Sequence, residues 1–99
     1  MENDVSDLKL AVKREYFEQI KSGKKVFENR LCTEYWKKRL ETKRYSKVII
    51  TLGYPKKTDT DKIIEFPYVG WERRTITHKH FGDKPVEVYS IILTKNPLF

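Results

Sequence analysis

Leu8, Leu10 and Val12 alternate with Lys9 and Ala11, a period of two that predicts a first strand over Leu8–Val12. From Lys13 the period lengthens. Tyr16, Phe17 and Ile20 share one face of a predicted helix, Lys13–Ser22, and Gly23 stands where a left-handed terminating residue is wanted. Glu18 and Lys21 are spaced to pair on its outer face. Lys25–Arg30 returns to a period of two, with Val26, Glu28 and Arg30 on one side and Lys25, Phe27 and Asn29 on the other. Thr33 is placed to cap a second helix, Glu34–Glu41, whose less polar positions are Tyr35, Trp36 and Leu40.

The second half reads as strands. Lys47–Leu52 is the strongest, bounded by Gly53-Tyr54-Pro55, and Lys56–Asp61 follows as a polar turn. Lys62–Tyr68 is the next, and Pro67 marks it as an edge strand or as ending there. Trp71–Thr77, a loop over His78–Pro85 and a final strand Val86–Leu93 complete the set. Six short strands with two helices near the start predict a small α+β barrel, mostly antiparallel. One domain is expected over residues 8–95, between a flexible polar tail at 1–7 and a short tail at 96–99.

Composition narrows the class. Thirteen percent aromatic residues in a 99-residue chain argue for a folded core rather than disorder. The longest apolar runs are three residues, such as Val48-Ile49-Ile50, against the about 20 that a membrane-crossing helix needs. The acidic N-terminus lacks the apolar region of a secretory signal. Cys32 is the single cysteine and cannot form an internal disulfide, so a reducing, cytoplasmic setting is expected.

The net charge of +7 is concentrated in one stretch, Lys13–Lys47, which holds twelve Lys or Arg against five acids. Such a local field attracts phosphate, so nucleic acid is the expected partner class. An acidic protein is the other partner that a positive face suits, and a membrane surface is not expected.

Ile20-Lys21-Ser22-Gly23-Lys24-Lys25-Val26-Phe27-Glu28-Asn29-Arg30 carries a G-x-K-x-x-E-x-R pattern that bridges a helix and a strand. It resembles the signature of ASCH domains, which are similar in fold to the PUA domains of RNA-modifying enzymes. The resemblance covers Leu8 to Leu93, and Tyr35-Trp36-Lys37-Lys38-Arg39-Leu40 and Gly53-Tyr54 are similar to the small single-domain members of bacteria and phages. It implies a PUA-like β-barrel flanked by helices, and a cleft between the first helix's C-terminus and the next strand. RNA or a modified nucleoside is the implied ligand. Some relatives of this type hydrolyse the acetyl amide of acetylcytidine with a Lys, a Thr and a Glu, and others are described as ribonucleases. Lys25 matches the family's lysine and Arg30 its arginine, whereas Glu28 stands where the acetylcytidine enzymes carry threonine. Glu65, Glu72 and Glu87 are all open for the catalytic Glu of that subgroup.

The residues suggest roles of their own. Arg30 would grip phosphate or a base edge, Glu28 would accept from an amino group, and Lys25 would meet phosphate, with Lys24 beside it. By strand alternation Lys25 points away from the other two unless the Gly23 turn re-aims it. The bland reading is an ion pair that fixes the strand. Tyr35-Trp36-Lys37-Lys38-Arg39, Tyr54-Pro55-Lys56-Lys57 and Trp71-Glu72-Arg73-Arg74 set rings beside cations, as single-strand binders do. Tyr35, Trp36, Lys37, Arg39, Tyr54, Trp71 and Arg73 are therefore candidates, although most aromatics of so small a domain belong to its core. His78 and His80, on one side of an extended segment, could act as base and acid on a phosphodiester, with Lys79 or Arg73 stabilising the phosphorane. No metal site and no cofactor are expected, since the histidines lack a convincing third ligand. Binding of RNA or another single-stranded nucleic acid is the leading expectation. An enzyme of the same fold, ribonuclease or modified-nucleoside hydrolase, is the alternative, and an acidic-partner module the third.

Overall fold

A computed structural model describes residues 6–93, except for the side chain of His80. Its strands are β1 (Ser6–Val12), β2 (Phe27–Leu31), β3 (Tyr45–Leu52), β4 (Ile63–Pro67), β5 (Trp71–Ile76) and β6 (Val86–Ile92). Helix α1 (Arg14–Lys21) follows β1 and helix α2 (Glu34–Glu41) follows β2. Two short 3-10 turns, Thr60–Lys62 and Lys79–Phe81, lie in the later connections. The class is α+β. Ser6 and Asp7, expected in the tail, already belong to β1, whereas residues 1–5 and the 96–99 tail lie outside the described residues.

The strands form two three-stranded sheets, ordered β1-β3-β4 and β2-β6-β5. Three of the four pairings are antiparallel, and β1 runs parallel to β3. That parallel pair needs a long crossover, which α1, β2 and α2 supply between them. The first sheet turns one face inward, because Leu8 lies beside Val48 and Leu10 beside Ile50, which in turn faces Ile64. Phe17 and Ile20 of α1, Leu40 of α2, and Tyr89 and Ile91 of β6 close the core over it. Each such side chain contributes about 1.5–3 kcal/mol by leaving water, which is what holds the two sheets and two helices together. Pro67 ends β4 on a sheet edge, where its missing N–H costs no ladder bond.

On α1, Glu18 pairs with Arg14 at 3.8 Å rather than with Lys21. Among the described residues no helix is long and apolar enough to cross a membrane.

Candidate functional site

The end of α1 decides where the site forms. Gly23 adopts φ +83°, a left-handed conformation that residues with a Cβ rarely tolerate. The Ser22 N–H bonds the Glu18 carbonyl, the Gly23 N–H bonds Ile20, and the Lys25 N–H reaches back to Gln19. The chain is thereby folded under the helix, and β2 starts only at Phe27. Lys25 therefore escapes the strand alternation expected of it. Its Nζ lies 3.4 Å from Glu28 Oε1 and donates to the Phe27 carbonyl. The turn has put it on the Glu28 side.

Arg30, two residues along β2, approaches the same carboxylate from the other side, with Nη2 3.1 Å from Glu28 Oε2. That nitrogen also donates to the Ala11 carbonyl on β1 at 3.2 Å. The guanidinium lies over the Trp36 ring, 5.2 Å from its centre. Trp36 is delivered by α2, whose first turn is fixed by the Thr33 hydroxyl accepting from the Trp36 N–H at 3.3 Å. Glu28 is only 7% exposed, and each of its oxygens meets a cation, the pairing that burial of a carboxylate calls for. Arg30 Nε is enclosed without a hydrogen-bond partner among the described residues, a cost accepted to aim the Nη atoms.

These groups line a cavity of about 630 Å³, walled by the end of β1, α1, β2, Trp36 and the residues around His78 and Phe81. Among the described residues Lys13, Lys24, Lys25 and Arg30 are its cations, and Glu28 is the one acid in the lining. The volume suits a ligand of nucleoside size. Tyr16 forms another wall, with its ring centre 5.9 Å from that of His78. Sequence reasoning missed Tyr16, Lys13 and the Ala11 carbonyl. Tyr16 flanks Phe17 at the margin of the apolar stripe, and such margins face whatever lies beside a helix rather than under it.

Five of the expected binding residues thus meet at the cavity: Lys24, Lys25, Glu28, Arg30 and Trp36. The others lie elsewhere. Tyr35 and Arg39 stack on each other at 4.4 Å on the outer face of α2 and line a shallow depression with Lys38 and Lys43. Lys37 is exposed on that helix, and Tyr54 beyond β3 is 96% exposed. Trp71 packs edge-on to Tyr89 and donates from Nε1 to the Leu40 carbonyl at 3.1 Å, while Arg73 pairs with Glu87.

The histidine segment differs from expectation. Lys79–Phe81 is a 3-10 turn, so the two-residue alternation that would set His78 and His80 side by side does not apply. His78 lines the cavity, and the side chain of His80 lies outside the described residues. Lys79 pairs with Glu15 at 3.4 Å, so neither it nor Arg73 is directed at the His78 ring. Among the described residues no group of three His, Cys, Asp or Glu side chains is placed to hold a metal ion. Cys32 is half-buried against the core, its N–H bonded to the Glu87 carbonyl.

No family model matches the chain, and no match is found among curated proteins or among solved structures.

Proposed function

We propose that the chain is an ASCH-type, PUA-like domain that binds single-stranded nucleic acid, RNA foremost, by taking one base into the 630 Å³ cavity. One observation carries the reading: a buried carboxylate, Glu28, held open to that cavity between Lys25 and Arg30. A salt-bridged acid whose only purpose was stability would gain little over an apolar residue of the same volume. A base edge gives it a purpose, because exocyclic amino and ring N–H groups donate to a carboxylate while carbonyls accept from the cations. The two sheets would be the two halves of the PUA-like barrel. Strand outside the cavity would cross α2, where Lys38, Arg39 and Lys43 offer phosphate contacts beside the Tyr35 ring. The free thiol of Cys32 suits work in a reducing, cytoplasmic compartment.

Fluorescence anisotropy of a labelled eight-nucleotide RNA tests the reading. Neutralising four or five phosphates gives a log–log salt slope near about −3, from roughly −0.7 per phosphate. A flat salt response, or no binding, sinks it.

His78 in the cavity wall favours a second reading, a ribonuclease of the same fold. Cleavage of the same labelled RNA over hours, lost in His78→Ala, separates it from binding alone.

A further inference from the structure

We infer that the cavity selects uracil among the bases, through the order of charges that Lys25, Glu28 and Arg30 present. The inference rests on the nucleic-acid reading and specifies its ligand. Lys25 sits on one oxygen of Glu28 and Arg30 on the other, so the wall reads cation, carboxylate, cation. In hydrogen-bond terms that is donor, acceptor, donor.

The inventory of hydrogens shows that all three groups retain capacity. Lys25 has three N–H donors, of which one serves the Phe27 carbonyl, while Glu28 is met as an ion pair at 3.4 Å. Arg30 Nη2 donates to the Ala11 carbonyl and meets Glu28 Oε2 as an ion pair at 3.1 Å, and Nη1 has no hydrogen-bond partner among the described residues. Each Glu28 oxygen is ion-paired with one cation and keeps lone-pair capacity for a ligand. One donor at each flank and one acceptor between them are therefore available to a ligand.

The pairing edge of uracil is carbonyl O4, N3–H, carbonyl O2: acceptor, donor, acceptor. It complements the wall at all three positions. Cytosine offers amino, N3 acceptor and carbonyl, which sets an acceptor against the carboxylate and an amino group against a cation. Sliding it to bring the amino group to Glu28 leaves one cation unused. Adenine also turns a ring acceptor, N1, toward Glu28. Guanine matches at O6 and N1–H and fails at its 2-amino group, so it ranks between. Discrimination of this kind is strong because a mismatched polar contact in an enclosed site stays unsatisfied. Tyr16 and Trp36 supply aromatic walls, which tolerate any base and so leave the choice to the polar edge.

The test measures anisotropy of labelled U8, C8, A8 and G8 at one salt concentration. U8 is expected to bind about tenfold or more tighter than C8 and A8, the scale of one good edge-on base contact. A U8 strand built from 3-methyluridine, which has lost the N3–H, is expected to fall to the C8 level. The dT8 strand carries the same edge: affinity equal to U8 assigns recognition to the base alone, and weaker affinity adds the ribose hydroxyl. Equal binding of all four RNAs, or undiminished binding of the methylated strand, overturns uracil selection while leaving the nucleic-acid reading intact. If no strand binds, both fall. In Glu28→Gln the amide can donate or accept, so the U8-to-C8 ratio is expected to collapse toward one. Retention of the full ratio in a folded Glu28→Gln variant also overturns the inference.

Discussion

Arg30 on β2 donates from Nη2 to the backbone carbonyl of Ala11 on β1, 3.2 Å away, and so ties one three-stranded sheet to the other. The same nitrogen meets Glu28 Oε2. A residue at the candidate site is therefore also a strut of the fold, and the two roles separate only under different measurements.

Removing the strut should lower stability. Arg30→Ala leaves Glu28 with Lys25 alone and the Ala11 carbonyl without its partner. Loss of one member of a fully buried pair costs about 3–5 kcal/mol, and partial exposure of Arg30 reduces this to about 2–3 kcal/mol. Urea unfolding of the two proteins measures the difference. A change below about 0.5 kcal/mol, the size of an ordinary surface substitution, contradicts the strut.

Arg30→Lys keeps the charge and loses the fork, so its affinity is read beside its melting temperature. It should weaken RNA binding by about 1–2 kcal/mol, because a point-like ammonium lacks the planar fork whose separated nitrogens reach the Ala11 carbonyl and a base from one position. Lys43→Ala removes a full charge from the outer face of α2 and should weaken binding less. If Lys43→Ala is the more damaging, binding is a matter of diffuse charge and the cavity is not its centre.

Thr33→Ala removes the acceptor that fixes the first turn of α2. The expected loss is about 1 kcal/mol of stability, the usual value for a helix cap. Because that hydroxyl holds the Trp36 N–H, the ring over Arg30 should loosen too, and RNA affinity should fall along with the melting temperature. A stability loss with unchanged affinity would detach Trp36 from the site.

That cap illustrates what the chain discloses by itself. Thr33, Glu34–Glu41 and Gly23 were all legible because a cap, an eight-residue helix and a left-handed terminator are set by neighbours in sequence. The aim of Lys25 was not. Strand alternation assigned it to the wrong face, since the start of β2 depends on how the turn after α1 tucks under the helix. The parallel partnership of β1 and β3 was equally hidden, because it joins segments more than thirty residues apart through packing alone. The histidine segment failed for a third reason: Gly82 and Pro85 mark a loop there, but not that its first residues close into a 3-10 turn rather than stay extended.

Tyr89 gives a prediction in pH. Burial, together with its hydrogen bond to Glu41 at 2.6 Å, pushes its pKa up to about 12 from the ordinary 10.0. The folded state thus holds this proton where the unfolded chain releases it. The contribution is complete below pH 10 and is lost as pH rises from 10 toward 12. Tyr45 and Tyr68, also raised by burial, act in the same direction. Unfolding free energy should therefore decline through that interval, and Tyr89→Phe should flatten the decline. An unchanged slope in the Tyr89→Phe protein would refute the assignment.

Acetylcytidine is the substrate on which Glu28 should prove decisive, and no efficient deacetylation is expected. On the proposed ASCH reading, the related acetylcytidine enzymes would carry a threonine hydroxyl at this position, and here a carboxylate stands. Both of its oxygens are engaged by cations, Lys25 at 3.4 Å and Arg30 at 3.1 Å, which draws electron density away from any attack on an acyl carbon. Thr33 also lines the cavity, where its hydroxyl oxygen accepts from the Trp36 N–H at the start of the helix. Incubation with acetylcytidine, followed by chromatography of the products, measures the outcome directly. Turnover at ~1 per second or faster would be enzyme-like and would show that Glu28 is no obstacle. Glu28→Thr supplies the reciprocal experiment. It restores the hydroxyl but frees Lys25 and Arg30 from their shared anion, so its melting temperature must be read alongside its activity. Activity gained by a folded Glu28→Thr protein identifies the hydroxyl as the missing group; a folded but silent variant assigns the block to a carboxylate that the lining does not replace, Glu28 being its one acid among the described residues.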